Sequence, residues 1–270
     1  MAATTGKGSS SNSVGRPLWS DAPTVFTPRS AVVEIYGPSN TGRTTLALSA
    51  PPPILYIYFY EKAEGIIEPF AREKQISWYR AGGVFRGESD EIQRAAWRKM
   101  EEFERCYYEG LGERSPFRSI VVDTHVEAWE LERLAEFGAP KPGKGRVDQM
   151  WGGVNARWSG LLNAARERSD VNVIWIGQVE DEWKKDARGF DQKTGKQVKI
   201  SSSAGRKVYL KCDVSLRTDN GADGQSFTAT IEKAWGNNDL MFEELQVERE
   251  GGLPFILSLI TGTEQSEWES

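Results

Sequence analysis

AVVEIYGPSNTGRTTLALSA, residues 31 to 50, decides how the rest of the chain is read. Residues 31 to 37 are a β-branched run that stops at a glycine, and residues 44 to 50 carry the small and apolar residues of a helix that Pro51, Pro52 and Pro53 end. Between them Gly37, four further residues, Gly42, Arg43 and Thr44 follow the spacing G-x-x-x-x-G-K-[ST], with arginine in the lysine position. A strand, a glycine loop and a helix in that order turn backbone N–H groups toward an anion, aided by the helix dipole. The candidate phosphate cradle is therefore Gly37, Pro38, Ser39, Asn40, Thr41, Gly42, Arg43, Thr44 and Thr45, with ATP and Mg2+ as the expected ligands and the Thr44 hydroxyl reaching the metal. Arg43 keeps the positive charge, but its planar fork cannot occupy the point an ammonium would, so binding is expected to survive better than turnover.

Further along, ILYIYFY (54 to 60) reads as a second central strand, SIVVDT (119 to 124) as a third and VNVIWIG (171 to 177) as a fourth. Amphipathic helices are expected over 89 to 109, with Ser89 as N-cap, over 126 to 137, and over NARWSGLLNAARER (155 to 168). This alternation predicts an α/β fold, a mostly parallel sheet flanked by helices, with ligands at the carboxyl ends of the strands. Val208, Leu210, Cys212, Val214 and Leu216 alternate with polar residues, and FTATIEKAW and PFILSLI read as further strands, so an antiparallel C-terminal extension is expected.

Asp123 ends the third strand and is the natural acid for the magnesium. Glu61 and Glu64 follow the second strand, and either could polarise an attacking water. The lone histidine, His125, is read as a cap or packing residue, and with Cys106 and Cys212 far apart neither zinc nor a disulfide is expected. Net charge is −5, which argues against a surface that coats nucleic acid as a whole. Positive charge is nevertheless concentrated locally. Lys141, Lys144 and Arg146 lie near Trp151, and Lys184, Lys185, Arg188, Lys193, Lys196, Lys199, Arg206 and Lys207 follow Gln178 in what reads as a mobile basic loop. That mixture suits a single-stranded backbone, and Trp183 can either stack on a base or cap the core.

Residues 1 to 30 are expected to be a disordered arm, residues 31 to 260 one domain, and 261 to 270 a polar, acidic, solvated tail. The arm has no apolar centre, so it fails as a signal peptide, and no apolar run approaches the roughly eighteen residues of a membrane span. A soluble, cytoplasmic protein is expected, in the host cytoplasm if a phage encodes it.

With these motifs in order, residues 31 to 240 resemble the RecA-like P-loop ATPases, most closely the small phage RecA-like recombination proteins of the AAA_24 type. The resemblance implies a RecA-like core. In YIYFYE it favours Glu61 as the catalytic glutamate; in VIWIGQ it makes Gln178 the residue that senses the γ-phosphate and couples it to a DNA-binding loop. In ATIEKAW it implies that Lys233 reaches a neighbouring subunit's nucleotide, while Trp235 stands where a basic residue is often found. It further implies assembly into a ring or filament on single-stranded DNA in recombination or replication, with a single-strand-binding protein as a candidate partner of the tail. The alternative reading is a non-catalytic nucleotide-binding or structural module that has lost turnover through Arg43; a motor or packaging ATPase on the same core ranks third.

Overall fold

A computed structural model describes residues 30–60, 64–83, 85–139, 151–168, 170–185, 190–199, 203–221, 226–246 and 251–269. The expected arm to residue 29, Glu61, Lys141, Lys144, Arg146 and Arg188 lie outside them. The elements run β1 (Val32–Gly37), α1 (Arg43–Leu48), β2 (Ile54–Tyr58), α2 (Glu64–Ala71), β3 (Ile76–Arg80), α3 (Ser89–Gly110), β4 (Ser119–Asp123), α4 (His125–Phe137), α5 (Gly152–Glu167), β5 (Asn172–Lys185), β6 (Asp191–Lys199), α6 (Ser203–Lys211), β7 (Val214–Asn220), β8 (Phe227–Ala234), β9 (Glu244–Gln246), α7 (Gly252–Thr261) and α8 (Ser266–Glu269).

The sheet order is β3-β2-β4-β5-β1-β7-β8-β9, with β6 paired to β5. Strands β3 to β1 and the β1–β7 pair are parallel, whereas β7–β8, β8–β9 and β5–β6 are antiparallel. This is the expected α/β P-loop fold, mostly parallel with antiparallel C-terminal strands. Both faces of the central strands are covered, which is why they read as continuous apolar runs rather than as alternation. One face packs Val33, Ile35, Tyr56, Ile174 and Leu216 under α1, α2 and α7. The other packs Val32, Ile57, Val122, Val173 and Trp175 against Met100, Phe103, Leu131, Trp158 and Leu161 of α3, α4 and α5.

Several expectations need correction. The apparent alternation from Val208 to Leu216 is not one strand, because Ser203–Lys211 is helical and β7 starts only at Val214. Val208 and Cys212 are buried while Leu210 is 64% exposed, so the operative spacing is four, the helical period, and not two. PFILSLI is helix α7, burying Leu253, Ile256, Leu257 and Ile260 and leaving Leu259 more exposed; in so short an apolar run, length cannot separate strand from helix. The tail is not simply solvated: residues 266 to 269 are helical and Trp268 is buried, its indole N–H donating to Thr263 Oγ1 at 2.8 Å. The N-cap of α3 is Glu88, in a capping box with Glu91, and Ser89 instead donates to the Ala139 carbonyl. Most consequential, β5 does not stop at Gly177. It continues to Lys185 and pairs with β6, so of the expected loop residues 178 to 185 and 191 to 199 are strand and Arg206 and Lys207 lie on α6, and Trp183 is 56% exposed on β5 rather than capping the core.

Candidate functional site: the phosphate loop and the carboxyl ends of the strands

Parallel register brings the candidate residues to one end of the sheet. Gly37 of β1 lies beside Gln178 of β5, and Asp123 of β4 lies between Tyr58 of β2 and Ile176 of β5. The loop after Gly37 is fixed by its own chemistry. A Cβ at Gly37 would stand 2.3 Å from the Thr218 carbonyl oxygen on β7, so only glycine fits there. Gly42 has φ 78°, a left-handed conformation, and a Cβ there would meet the Phe227 ring at 2.5 Å. Thr41 Oγ1 lies 2.8 Å from both the Pro38 carbonyl oxygen and Thr218 Oγ1, which pins the middle of the loop to β7. Ser39 and Asn40 are left exposed at its crest, Asn40 at φ 64°. Thr45 follows in the first turn of α1, half-buried.

Below the loop, Asp123 is buried and gathers three hydroxyl donors on one oxygen. Thr44 Oγ1 donates to Asp123 Oδ2 at 3.0 Å, and the phenols of Tyr56 and Tyr60 each donate to it at 2.7 Å. Burial raises the Asp123 pKa, while the hydrogen bonds from Tyr56, Tyr60 and Thr44 and the charge of Arg43 oppose that rise. Arg43 Nη1 donates to the Gly177 carbonyl at the end of the buried part of β5; burial lowers its pKa and the nearby Asp123 opposes this. Glu127, in the first turn of α4, accepts from Gln178 Nε2 at 3.2 Å, and burial raises its pKa. Thr44, Asp123, Arg43 and Gln178 are thus brought together as expected. Tyr56, Tyr60 and Glu127 are additional members that sequence reasoning missed: in sequence the tyrosines read as part of an apolar strand run, and the only signal for Glu127 is its place one helical turn past Asp123.

The other expected residues sit elsewhere. Glu64 is the first residue of α2. Lys233 Nζ donates to the carbonyls of Tyr209 and Cys212 at the carboxyl end of α6, where a cation satisfies terminal carbonyls. Lys199 is paired with the buried Glu34 and lies 4.3 Å from the Tyr36 ring centroid. Lys207 donates to Asn155 Oδ1 at 2.9 Å, and Arg206 is exposed on α6. On the hairpin, Lys193 pairs with Asp181 and lies 5.3 Å from the Trp183 ring centroid, and Lys184 pairs with Glu182 at 3.0 Å. Lys185 and Lys196 are exposed on the same two strands. His125 is buried, and its pKa falls to about 3 because burial disfavours the charged ring, so it is neutral packing at ordinary pH.

A glycine loop between β1 and α1, facing a strand-end aspartate across a parallel sheet, defines a P-loop nucleotide-binding domain. The chain belongs to the AAA_24 family, described as an AAA domain, whose model matches residues 29–238. No curated protein sequence matches it significantly. Among solved structures it is similar to one titled "Crystal structure of the RadB recombinase", at 17% identity, covering 84% of this chain and 90% of that one with a TM-score of 0.44. Among the described residues no helix is long and apolar enough to cross a membrane.

The residues present fit a nucleotide with magnesium. Thr44 and Asp123 place a hydroxyl and a carboxylate 3.0 Å apart beneath the loop, the oxygen donors a hard dication takes. The buried Asp123 carboxylate has Arg43 as its nearby positive charge, a deficit a divalent ion would relieve.

Proposed function

We propose that the protein binds ATP with Mg2+ in the 37 to 45 loop, hydrolyses it weakly, and acts on single-stranded DNA in recombination or replication, assembling as a homo-oligomer. The observation that carries the nucleotide reading is the Thr44–Asp123 contact directly beneath a glycine loop whose two glycines admit no side chain. In this reading backbone N–H groups of residues 39 to 44 and Arg43 hold the phosphates, and Thr44 and Asp123 would hold the magnesium, which would neutralise phosphate charge. Tyr56 and Tyr60 keep Asp123 oriented, and Gln178, beside Gly37 in the register of the sheet, is the residue that would face a terminal phosphate. Support for the DNA reading is the hairpin: it projects from the nucleotide end of the sheet with Trp183 and Phe190 exposed among Lys184, Lys185, Lys193 and Lys196.

Calorimetry with ATP and a non-hydrolysable analogue tests the first part, with Thr44→Ala expected to weaken magnesium-dependent binding about tenfold or more, the loss of one metal-directed hydroxyl. No binding at millimolar nucleotide would end the idea. For the second part, single-strand affinity should fall with salt, and Lys184→Glu with Lys185→Glu should flatten that slope by about one to two in log K against log salt; an unchanged slope in that variant would remove the hairpin from the DNA interface. A second reading, binding without turnover, is favoured by one contact: the Arg43 guanidinium is held by the Gly177 carbonyl on β5.

A further inference from the structure

The phosphate loop is held from two sides. Toward β5 and β4, Arg43 donates to the Gly177 carbonyl and Thr44 to Asp123. Toward β7 and β8, on the opposite side of β1, the hold is made by shape. Phe227 opens β8, beside Asn220 of β7, and is half-buried against the core under α1. Its ring lies directly on Gly42: a Cβ there would stand 2.5, 2.5 and 2.8 Å from three of the ring carbons. The ring therefore fills the space that a side chain at position 42 would take. Gly42 is also the residue from which α1 starts, since Leu46 N donates to its carbonyl at 2.8 Å, and no side chain caps that turn.

A glycine gives up more backbone freedom on ordering than any other residue, and it samples left- and right-handed turns alike. At φ 78° Gly42 is in the left-handed one, with Arg43 and Thr44 directly after it, so the hand of this single residue decides where both point. Burial alone does not account for the contact, because Phe227 is only half-buried, whereas a ring set against the one residue whose hand must be fixed restricts that residue. We propose that Phe227 is a positioning residue for a bound polyphosphate: its ring holds the turn at Gly42 in the hand that presents Arg43 and Thr44, and so sets affinity for the phosphate chain from β8, whatever base the chain carries. The proposal rests on the nucleotide reading of the loop, while the hold on Gly42 is independent of it. If only about a tenth of the molecules keep the turn once the ring is removed, the apparent Kd rises about tenfold.

Wild type, Phe227→Leu, Phe227→Ala and Phe227→Tyr are compared as full chains. Calorimetry measures binding of magnesium with adenosine 5′-(γ-thio)triphosphate and of magnesium with inorganic tripolyphosphate, which has no base; amide exchange at Leu46 reads the turn without ligand. Phe227→Leu, which keeps apolar packing but not the ring, and Phe227→Ala should weaken both ligands by the same factor, about tenfold, and speed ligand-free exchange at Leu46 by about as much. Phe227→Tyr keeps the ring and should stay within about twofold of wild type in both. Gly42→Ala should lower the melting temperature less in the Phe227→Ala background than in wild type, because the ring its Cβ would strike is gone. Wild-type affinity in Phe227→Leu, or Phe227→Tyr behaving like Phe227→Leu, reduces the ring to packing and overturns the proposal. So does a loss confined to the nucleotide, which would make the ring a base contact. Additive effects of Gly42→Ala and Phe227→Ala overturn the hold itself. Failure of wild type to bind either ligand removes the proposed function instead, and Leu46 exchange together with the Gly42→Ala comparison still decides whether the ring holds the turn.

Discussion

Replacing Lys199 with methionine is the most informative single change to the fold, because Lys199 closes the hairpin by entering the core. Its ammonium pairs with Glu34, whose side chain is 0% exposed, and lies between the rings of Tyr36 and Tyr209 with centroids at 4.3 and 4.5 Å. Glu34 Oε2 also accepts from Ser215 Oγ at 2.9 Å, while Oε1 has no hydrogen-bond partner among the described residues. His125 Nε2 stands 3.8 Å from Oε1, but its low pKa leaves it neutral, so Lys199 is the compensating charge. Removing one partner of a buried pair costs about 3–5 kcal/mol, and two cation–π contacts add about 0.5–1 kcal/mol each, partly kept as apolar contact by the methionine. We therefore expect Lys199→Met to lose about 4 kcal/mol at pH 8. Burial already raises the Glu34 pKa against the opposing pull of Lys199, so without Lys199 it rises further. A carboxyl raised in the folded state favours folding most below its unfolded value, and that advantage is lost as pH rises, so the deficit of the variant should be smallest near pH 5 and grow toward pH 8. Glu34→Gln should cost less, because Lys199 is 20% exposed and can turn its ammonium to water. Urea unfolding of both single variants and the double variant at several pH values measures this as a cycle. A Lys199→Met deficit below about 1 kcal/mol at pH 8, the worth of an exposed pair, would refute the reasoning.

Two further outcomes follow from the same geometry. Glu132 is buried on α4 with neither carboxylate oxygen hydrogen-bonded among the described residues, and burial together with the nearby Glu104 and Glu136 raises its pKa to about 8 against the pull of Arg157. Its ionisation therefore lowers stability progressively between about pH 4.5 and 8, and Glu132→Gln should raise the melting temperature at pH 8 but not at pH 5, read by a thermal scan at both. Arg43→Lys should raise ATP turnover and Glu61→Gln lower it, since a compact ammonium follows a terminal phosphate into the transition state better than a guanidinium held by a carbonyl; steady-state kinetics with bound nucleotide measured separately gives the answer, and a slower lysine form means the arginine is adapted to its place.

How far the sequence was legible depended on whether an element's signal was local. Strands β1, β2, β4 and the buried part of β5 were readable because each is a short β-prone run bounded by turn residues, and α3, α4 and α5 because their apolar spacing persists for several turns; β3, a largely exposed edge strand, was not read. α6 and α7 were not, since nine or ten residues of mixed apolar character satisfy both periods until a partner face chooses between them. β6, DQKTGKQVK, has almost no apolar residue and is a strand only because β5 runs past the core and offers it an edge. Its ordered state comes from pairing across the hairpin, which no window of sequence records. In the site, glycine spacing and the strand-end acid gave Thr44 and Asp123 directly. Tyr56, Tyr60 and Glu127 reach Asp123 or Gln178 only through register between strands 60 residues or more apart in the chain for the tyrosines, and through a helix turn for Glu127.

Arg43 shows why residue type and position must be weighed together. From sequence it is a lysine position filled by a bulkier cation. In the fold its guanidinium reaches across the loop to the carbonyl of Gly177, the residue immediately before Gln178. An ammonium has no planar fork, and one that faced a phosphate could not hold that carbonyl from the same pose. The arginine therefore joins the phosphate loop to β5 at the residue next to the hairpin root, while Glu127 joins α4 to the root itself. Two elements of the candidate site are tied to one strand within two adjacent positions, and that strand continues outward to pair with β6. The carbonyl that Arg43 holds belongs to the residue covalently joined to Gln178, so Arg43→Lys tests the β5 contact and the phosphate reading together.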